Sequence, residues 1–455
     1  MMIKFLPLGG AGEIGASCFY LNIAGTGIIL DCGMHPQKIG LEALPHFDDI
    51  NDLPVDYCLV SHAHQDHIAA LPYLVKRHPY LKIVSTPQTR ALAELTLHDS
   101  VSILTSQLSE EDKFPVYTHN EIDLLIQTID YKAYKEPFNI NGYGHISSSP
   151  ITASFFDAGH ILGSASILIE HDGRKVFYTG DINLDSQSII KGAEIPGEKV
   201  DVLMIECTYG ATESSKILSW NKEAKRFANE ANKILRLGGS ILIPVFSLGK
   251  MQEVLSMIWG LMESGSLAFT DIYTGGLGRK ISRVYDYNRF VVPRLNPDFE
   301  LKDIPQKDLY SVERPDLLFN NPSIILASSG MMIEGTMSYK LASEWFKNKN
   351  SAIFTVGYME PNLPGYKIAN AKRGDKIQLS DTKEEELVEC GIAKFNFSAH
   401  SNRDGLIEII KKLNPDTVIL MHGDSDAIDW MGAYVLRSRP GIKVHAAETG
   451  KLIEV

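Results

Sequence analysis

The stretch Ser61-His62-Ala63-His64-Gln65-Asp66-His67 constrains this chain more than any other feature. It follows an apolar run at 55–60 with the character of a strand and precedes 68–75, which reads as a helix. Side chains two apart at a strand end point the same way, so His62 and His64 can reach one metal ion. Asp66 and His67 lie on the turn beyond and can face a second. Imidazole and carboxylate donors together suit Zn2+, and manganese or iron is also compatible with these ligand types. At this histidine content the pattern arises by chance roughly once in a thousand chains, so four polar residues on a solvated turn is the weaker reading.

Two later groups fit the same site. Asp157-Ala158-Gly159-His160 ends the apolar run 151–156, and His160 can supply a third nitrogen to the first ion. Tyr178-Thr179-Gly180-Asp181 closes the next hairpin, and Asp181 can bridge both ions. Taken singly, a histidine or aspartate at a strand end is more often structural. Their order and spacing after the histidine-rich run mark both as ligands.

The 455 residues allow about two or three domains. The first ~200 read as short strands and glycine turns. Segments 3–8, 17–23 and 27–31 are strand-like, and Asp172-Gly173 between 164–171 and 174–179 signals a type I′ hairpin. From about Thr208 the pattern changes. Residues 221–237 form a helix pattern ended by Gly238-Gly239, and 240–246 is a continuous apolar run suited to a strand buried on both faces. Apolar residues at helical spacing follow from Met251, and 268–273, 323–327 and 352–357 repeat the strand theme. Such alternation predicts a parallel sheet flanked by helices. Residues 285–321, rich in Pro, Asp and Asn, read as an irregular excursion, and after Cys390 short glycine-punctuated elements return. The expected organisation is a discontinuous first domain at 1–208 and 390–455, with an α/β module inserted at 209–389.

The opening residues do not read as a signal peptide, and no stretch has the apolar length to span a bilayer. Five dispersed cysteines without a CxxC pair predict reduced thiols and a cytoplasmic setting. The net charge of −12 disfavours a nonspecific polyanion binder, although bound metal ions would add positive charge locally.

The ligand run with its distant His160 and Asp181 resembles the metallo-β-lactamase superfamily, which folds as an αββα sandwich with metals at one edge of its sheets. Ile205-Glu206-Cys207-Thr208, Phe397-Ser398-Ala399-His400-Ser401 and Leu420-Met421-His422-Gly423-Asp424 resemble the extra motifs of the β-CASP nucleases within it. The wording around His400 and His422 is similar to the cleavage and polyadenylation specificity factor endonuclease and its prokaryotic relatives. A histidine at 422, where DNA-repair members carry valine, resembles the RNA branch. The resemblance implies two zinc ions per chain, the first on His62, His64 and His160 and the second on Asp66, His67 and His422, with Asp181 between them. It makes Asp31 a partner of the metal-site histidines, His400 the group that protonates the leaving oxygen, and Glu206 the holder of its tautomer. Catalytic roles thus fall on His400, Glu206, Asp66 and Asp181. Ser328, Ser329 and Gly330, with Ser398, would face substrate, and the inserted module would be a β-CASP domain. The implied activity is metal-dependent hydrolysis of single-stranded RNA, internally or from the 5′ end, with RNA between the lobes and a homodimer left open.

The chain departs from that pattern at Gly357-Tyr358-Met359-Glu360-Pro361 and at Phe246-Ser247-Leu248-Gly249-Lys250, where relatives carry an arginine. Rival readings are an inactive partner subunit in RNA processing and a small-molecule ester hydrolase of the same superfamily. Gly10-Ala11-Gly12-Glu13-Ile14-Gly15 satisfies a dinucleotide-binding pattern, but strand formers follow it where a phosphate site needs a helix, so a strand-to-strand turn is expected.

Overall fold

The computed structural model describes residues 3–107, 116–380 and 384–455. They form two compact units. The first comprises Met1–Asp185, Gly192–Lys216 and His400–Val455, and the second Ser186–Lys191 and Ile217–Ala399.

Among the described residues, the first unit holds two seven-stranded sheets. One runs Ile453–Glu454, Lys4–Gly9, Cys18–Ile23, Thr26–Leu30, Tyr57–Leu59, Lys82–Ser85, Ile129–Tyr131 in spatial order. Its members are antiparallel up to Thr26–Leu30 and parallel from there on. The parallel steps need crossovers: the first, from Thr26–Leu30 to Tyr57–Leu59, carries the 3-10 turns Gly40–Ala43 and Phe47–Ile50, and the next two carry the helices Leu71–Arg77, Pro87–Gln107 and His119–Thr128. Thr118 and Glu121 close the last of these with a reciprocal capping box. The other sheet runs Lys443–Ala446, Thr417–Met421, Val202–Glu206, Arg174–Tyr178, Ala165–His171, Thr152–Asp157, Phe138–Asn139.

Strand periodicity explains how the layers stack. Along the second sheet Ile167, Val176, Tyr178, Met204 and Ile419 join Phe5, Phe19 and Leu21 of the first sheet in one core. Their neighbours Leu168, Phe177, Leu203, Ile205 and Val418 point the other way, onto Leu406, Ile410, Met431 and Val435 of the helices Arg403–Leu413 and Ser425–Ser438. Helix, sheet, sheet, helix is the αββα sandwich expected. The hairpin at Asp172-Gly173 has positive φ at both residues, +50° and +77°, as a type I′ turn requires. The Gly10–Gly15 stretch leads into the strand Cys18–Ile23, so it is a strand-to-strand turn.

The second unit is built on a sheet whose pairings are all parallel, with Ser323–Ala327, Ile241–Pro244 and Ala352–Thr355 buried at every position. Helices such as Trp220–Arg236, Lys250–Glu263 and Met337–Phe346 alternate with these strands. Residues 285–321 carry three short 3-10 turns and a two-residue edge strand, Lys307–Asp308. The composition change at Cys390 precedes the return to the first unit, because Gly391–Lys394 still pairs with Ala352–Thr355. No helix among the described residues is long and apolar enough to cross a membrane.

Glu253 ties Ser186–Lys191 into this unit. Its buried carboxylate accepts hydrogen bonds from the backbone N–H of Ser188 at 2.7 Å, Ile189 at 2.6 Å and Ile190 at 3.1 Å. Burial pushes this acid up to about 7 against those donors and Lys250. Glu253→Ala would orphan the buried N–H groups of Ile189 and Ile190 and the half-buried one of Ser188, so it should destabilise the unit by ~3 kcal/mol. Urea unfolding followed by tryptophan fluorescence should show a lowered midpoint, and an unchanged midpoint would contradict this role for Glu253.

Candidate metal centre

Strand direction brings the expected ligands to one edge of the first unit. Thr152–Asp157, Arg174–Tyr178, Val202–Glu206 and Thr417–Met421 run the same way, since the first is antiparallel to Ala165–His171, which is antiparallel to the second, and the rest pair in parallel. His160, Asp181, Glu206 and His422 therefore sit at or just past the same strand ends, where α/β sheets commonly carry their sites. Asp31 and His62 follow the parallel strands Thr26–Leu30 and Tyr57–Leu59 of the other sheet. His64 is the N-cap of the short helix Gln65–Ile68, which carries Asp66 and His67. Asp31 and His422 both have left-handed backbones, φ +58° and +47°, a strain that persists only where the surroundings hold it.

The donor atoms fall into two adjoining groups. His64 Nδ1 lies 3.1 Å from His62 Nε2 and 3.1 Å from His160 Nε2. Asp181 Oδ2 is 3.6 Å from each of those Nε2 atoms. The other oxygen, Asp181 Oδ1, faces the second group, at 3.4 Å from His67 Nε2 and 3.4 Å from His422 Nδ1. Asp66 Oδ2 completes that group, 3.6 Å from His67 Nε2 and 3.5 Å from His422 Nε2. Beside them His400 Nε2 lies 4.0 Å from Asp181 Oδ2, and its Nδ1 is 3.0 Å from Glu206 Oε1. Glu206 is held in turn by the Ile182 N–H at 2.8 Å.

These residues fit bound metal. Asp181 Oδ1 and His422 Nε2 are buried with no hydrogen-bond partner, a costly state that a cation would relieve. Burial, with His67 alongside, pushes the His62 imidazole well below its usual range, leaving the neutral form that ligates. Burial would raise the Asp181 carboxyl, but His422, His67 and His400 outweigh it and hold the group well below the carboxylate range. Asp66 is lowered too, His67 and His422 prevailing over burial. Burial opposes the charge on His67, yet Asp181, Asp66 and Asp31 drive that imidazole well above its usual value. Without metal, protons on the second group offset its carboxylates.

Comparison with known proteins agrees along the chain. A metallo-beta-lactamase superfamily profile matches residues 11–197, a Beta-Casp domain profile residues 251–368, and a Zn-dependent metallo-hydrolase RNA specificity domain profile residues 386–447. An "RNase J-like protein" of Methanocaldococcus jannaschii is 31% identical over 426 residues, covering 93% of this chain and 93% of that protein. The chain belongs to the β-CASP family of the metallo-β-lactamase superfamily. The "Cleavage and polyadenylation specificity factor subunit 3" of Dictyostelium discoideum is 32% identical over 444 residues, covering 93% of this chain and 54% of that protein. The chain thus spans about half the length of that β-CASP relative. A crystal structure of a protein of unknown function from Enterococcus faecalis V583 shares the fold, with a TM-score of 0.59, 12% identity and full coverage of both chains.

Ser328, Ser329, Gly330 and Ser398 belong to the second unit. The first three follow the central strand Ser323–Ala327, where Ser329 Oγ accepts from the Ile333 N–H at 3.1 Å and Ser338 Oγ donates to the Ser329 carbonyl at 2.7 Å. Sequence reading missed the surroundings of Asp31. Ser61 N and Oγ each donate to its carboxylate at 2.6 Å, Tyr178 Oη donates at 2.6 Å, and His67 Nδ1 lies at 2.8 Å. Only the adjacency of Ser61 to His62 could have signalled part of this. Because each oxygen of Asp181 faces a different group, Asp181→Ala should reduce divalent-metal uptake to near zero, measured by elemental analysis after desalting. Full retention would contradict that central position.

Proposed function

We propose that this chain is a two-zinc ribonuclease hydrolysing phosphodiester bonds of single-stranded RNA. The observation that carries the reading is the division of the Asp181 oxygens between two donor groups, with His400 beside them. His62, His64 and His160 would hold one ion, Asp66, His67 and His422 the other, and Asp181 both. Bound zinc would supply Lewis acidity, lowering the pKa of water towards neutrality and offsetting charge on phosphoryl oxygens.

The protein groups do the rest. Asp31 orients His67, and Asp181 sets the separation of the two groups. Glu206 accepts a hydrogen bond from His400 Nδ1–H, which leaves Nε2–H to hand its proton to the leaving oxygen as a water oxygen bonds phosphorus and the P–O bond to that leaving oxygen breaks. The choice of RNA is supported by the RNA specificity profile over 386–447, which includes both His400 and His422, and by the names of the relatives. All five cysteines are buried thiols without a disulfide, which suits the reducing cytoplasm we assign to it.

End-labelled single-stranded RNA and DNA of one sequence, incubated with and without chelator, test the proposal. RNA should be cut and DNA spared, the chelator should stop cutting, and the ladder separates internal from 5′ cleavage. His400→Ala should keep its metal and cut ~10²–10⁴-fold more slowly. Metal-loaded protein that cuts no RNA would overturn the reading in favour of a binding subunit or a small-molecule hydrolase. An unslowed His400→Ala would remove that histidine from the chemistry.

A further inference from the structure

Asp31 is fully buried and surrounded by donors. Its Oδ1 accepts the Ser61 N–H, while Oδ2 receives Ser61 Oγ and Tyr178 Oη, both at 2.6 Å, and lies 2.8 Å from His67 Nδ1. A carboxylate oxygen offers about two lone-pair directions, so three donors saturate it and fix its position. With its hydrogen directed at Asp31, Ser61 Oγ presents lone pairs to His62 Nδ1, 3.0 Å away. The His62 proton then sits on Nδ1, and Nε2 turns its lone pair towards His64 Nδ1 and Asp181 Oδ2. His67 is set the same way, Nδ1 towards Asp31 and Nε2 towards Asp181 Oδ1. One carboxylate therefore fixes a histidine of each donor group, directly for His67 and through a hydroxyl for His62.

We propose that Ser61 and Tyr178 are positioning residues that tie both metal sites to Asp31, each steadying the oxygen that faces His67 and Ser61 alone also touching His62, so that Ser61 bears chiefly on the first site. The proposal rests on the metal-centre reading above. Ser61 acts on His62 because its hydroxyl links the His62 imidazole to the Asp31 carboxylate. Tyr178 acts on both because its phenol anchors the oxygen that His67 and Ser61 share. Its ring packs edge-on to Phe19 with centroids 5.9 Å apart, a contact that phenylalanine would keep. Tyr178→Phe thus removes a hydroxyl and little else.

Zinc affinity of metal-stripped protein, by competition with a chromophoric chelator, separates the sites when measured in two backgrounds. His422→Ala leaves the first donor group complete, and His160→Ala leaves the second. Ser61→Ala should weaken zinc ~10–100-fold in the His422→Ala background, the range typical for loss of a partner behind a metal-bound histidine, and clearly less in the other. Tyr178→Phe should weaken zinc in both backgrounds, with circular dichroism unchanged. Parent-like constants for both variants would overturn the proposal while leaving the metal centre standing. So would equal losses in both backgrounds for Ser61→Ala, the mark of a general structural role. A parent chain that takes up no zinc would overturn the metal-centre reading and this inference with it.

Discussion

A carboxylate buried among imidazoles is the constraint on which the rest depends. Asp181 is 3% exposed, yet its two oxygens lie within 4.0 Å of ring nitrogens from His62, His67, His160, His400 and His422. Taking that many ionisable groups out of water is costly unless each is paired, and removing any one partner strands the others. The sandwich meets this by ending co-directed strands at one edge, where side chains distant in sequence converge without long irregular loops. The packed core between the sheets then holds those ends in register, as Phe19 against Tyr178 illustrates.

The same constraint reconciles an acidic chain with the polyanionic substrate proposed for it. A net charge of −12 describes the whole surface, whereas a phosphate would meet a site whose carboxylates are already matched by imidazoles and by any metal they hold. The numbers of acidic and basic residues therefore say little about what this edge can bind. The separation of roles within the edge says more. The carboxylate of Asp181 faces both donor groups, while that of Glu206 is turned to the His400 imidazole and backbone N–H groups.

Much of this was legible in the sequence because it is local. His62, His64, Asp66 and His67 lie within one turn of chain, and the strand-then-helix pattern around them predicts their directions. His160 and Asp181 were legible as polar residues closing apolar strands, and Glu206, His400 and His422 through the motifs that resemble the β-CASP nucleases. What stayed hidden depends on contacts across the fold. No pattern relates Tyr178 to Asp31, or Glu253 to the backbone of Ser188–Ile190, because the partners meet only after the strands pair. The strand Gly391–Lys394 was obscured for a similar reason: its glycine-punctuated composition looks like the closing segment, but its hydrogen bonds go to Ala352–Thr355.

In the proposed reading, Asp181 stands between two metal ions. Anomalous diffraction at the zinc edge from crystals of zinc-loaded protein tests it most directly. Two peaks flanking the Asp181 carboxylate are expected, one beside His62, His64 and His160 and the other beside Asp66, His67 and His422. A single peak at full occupancy, or a pair lying away from Asp181, would contradict it.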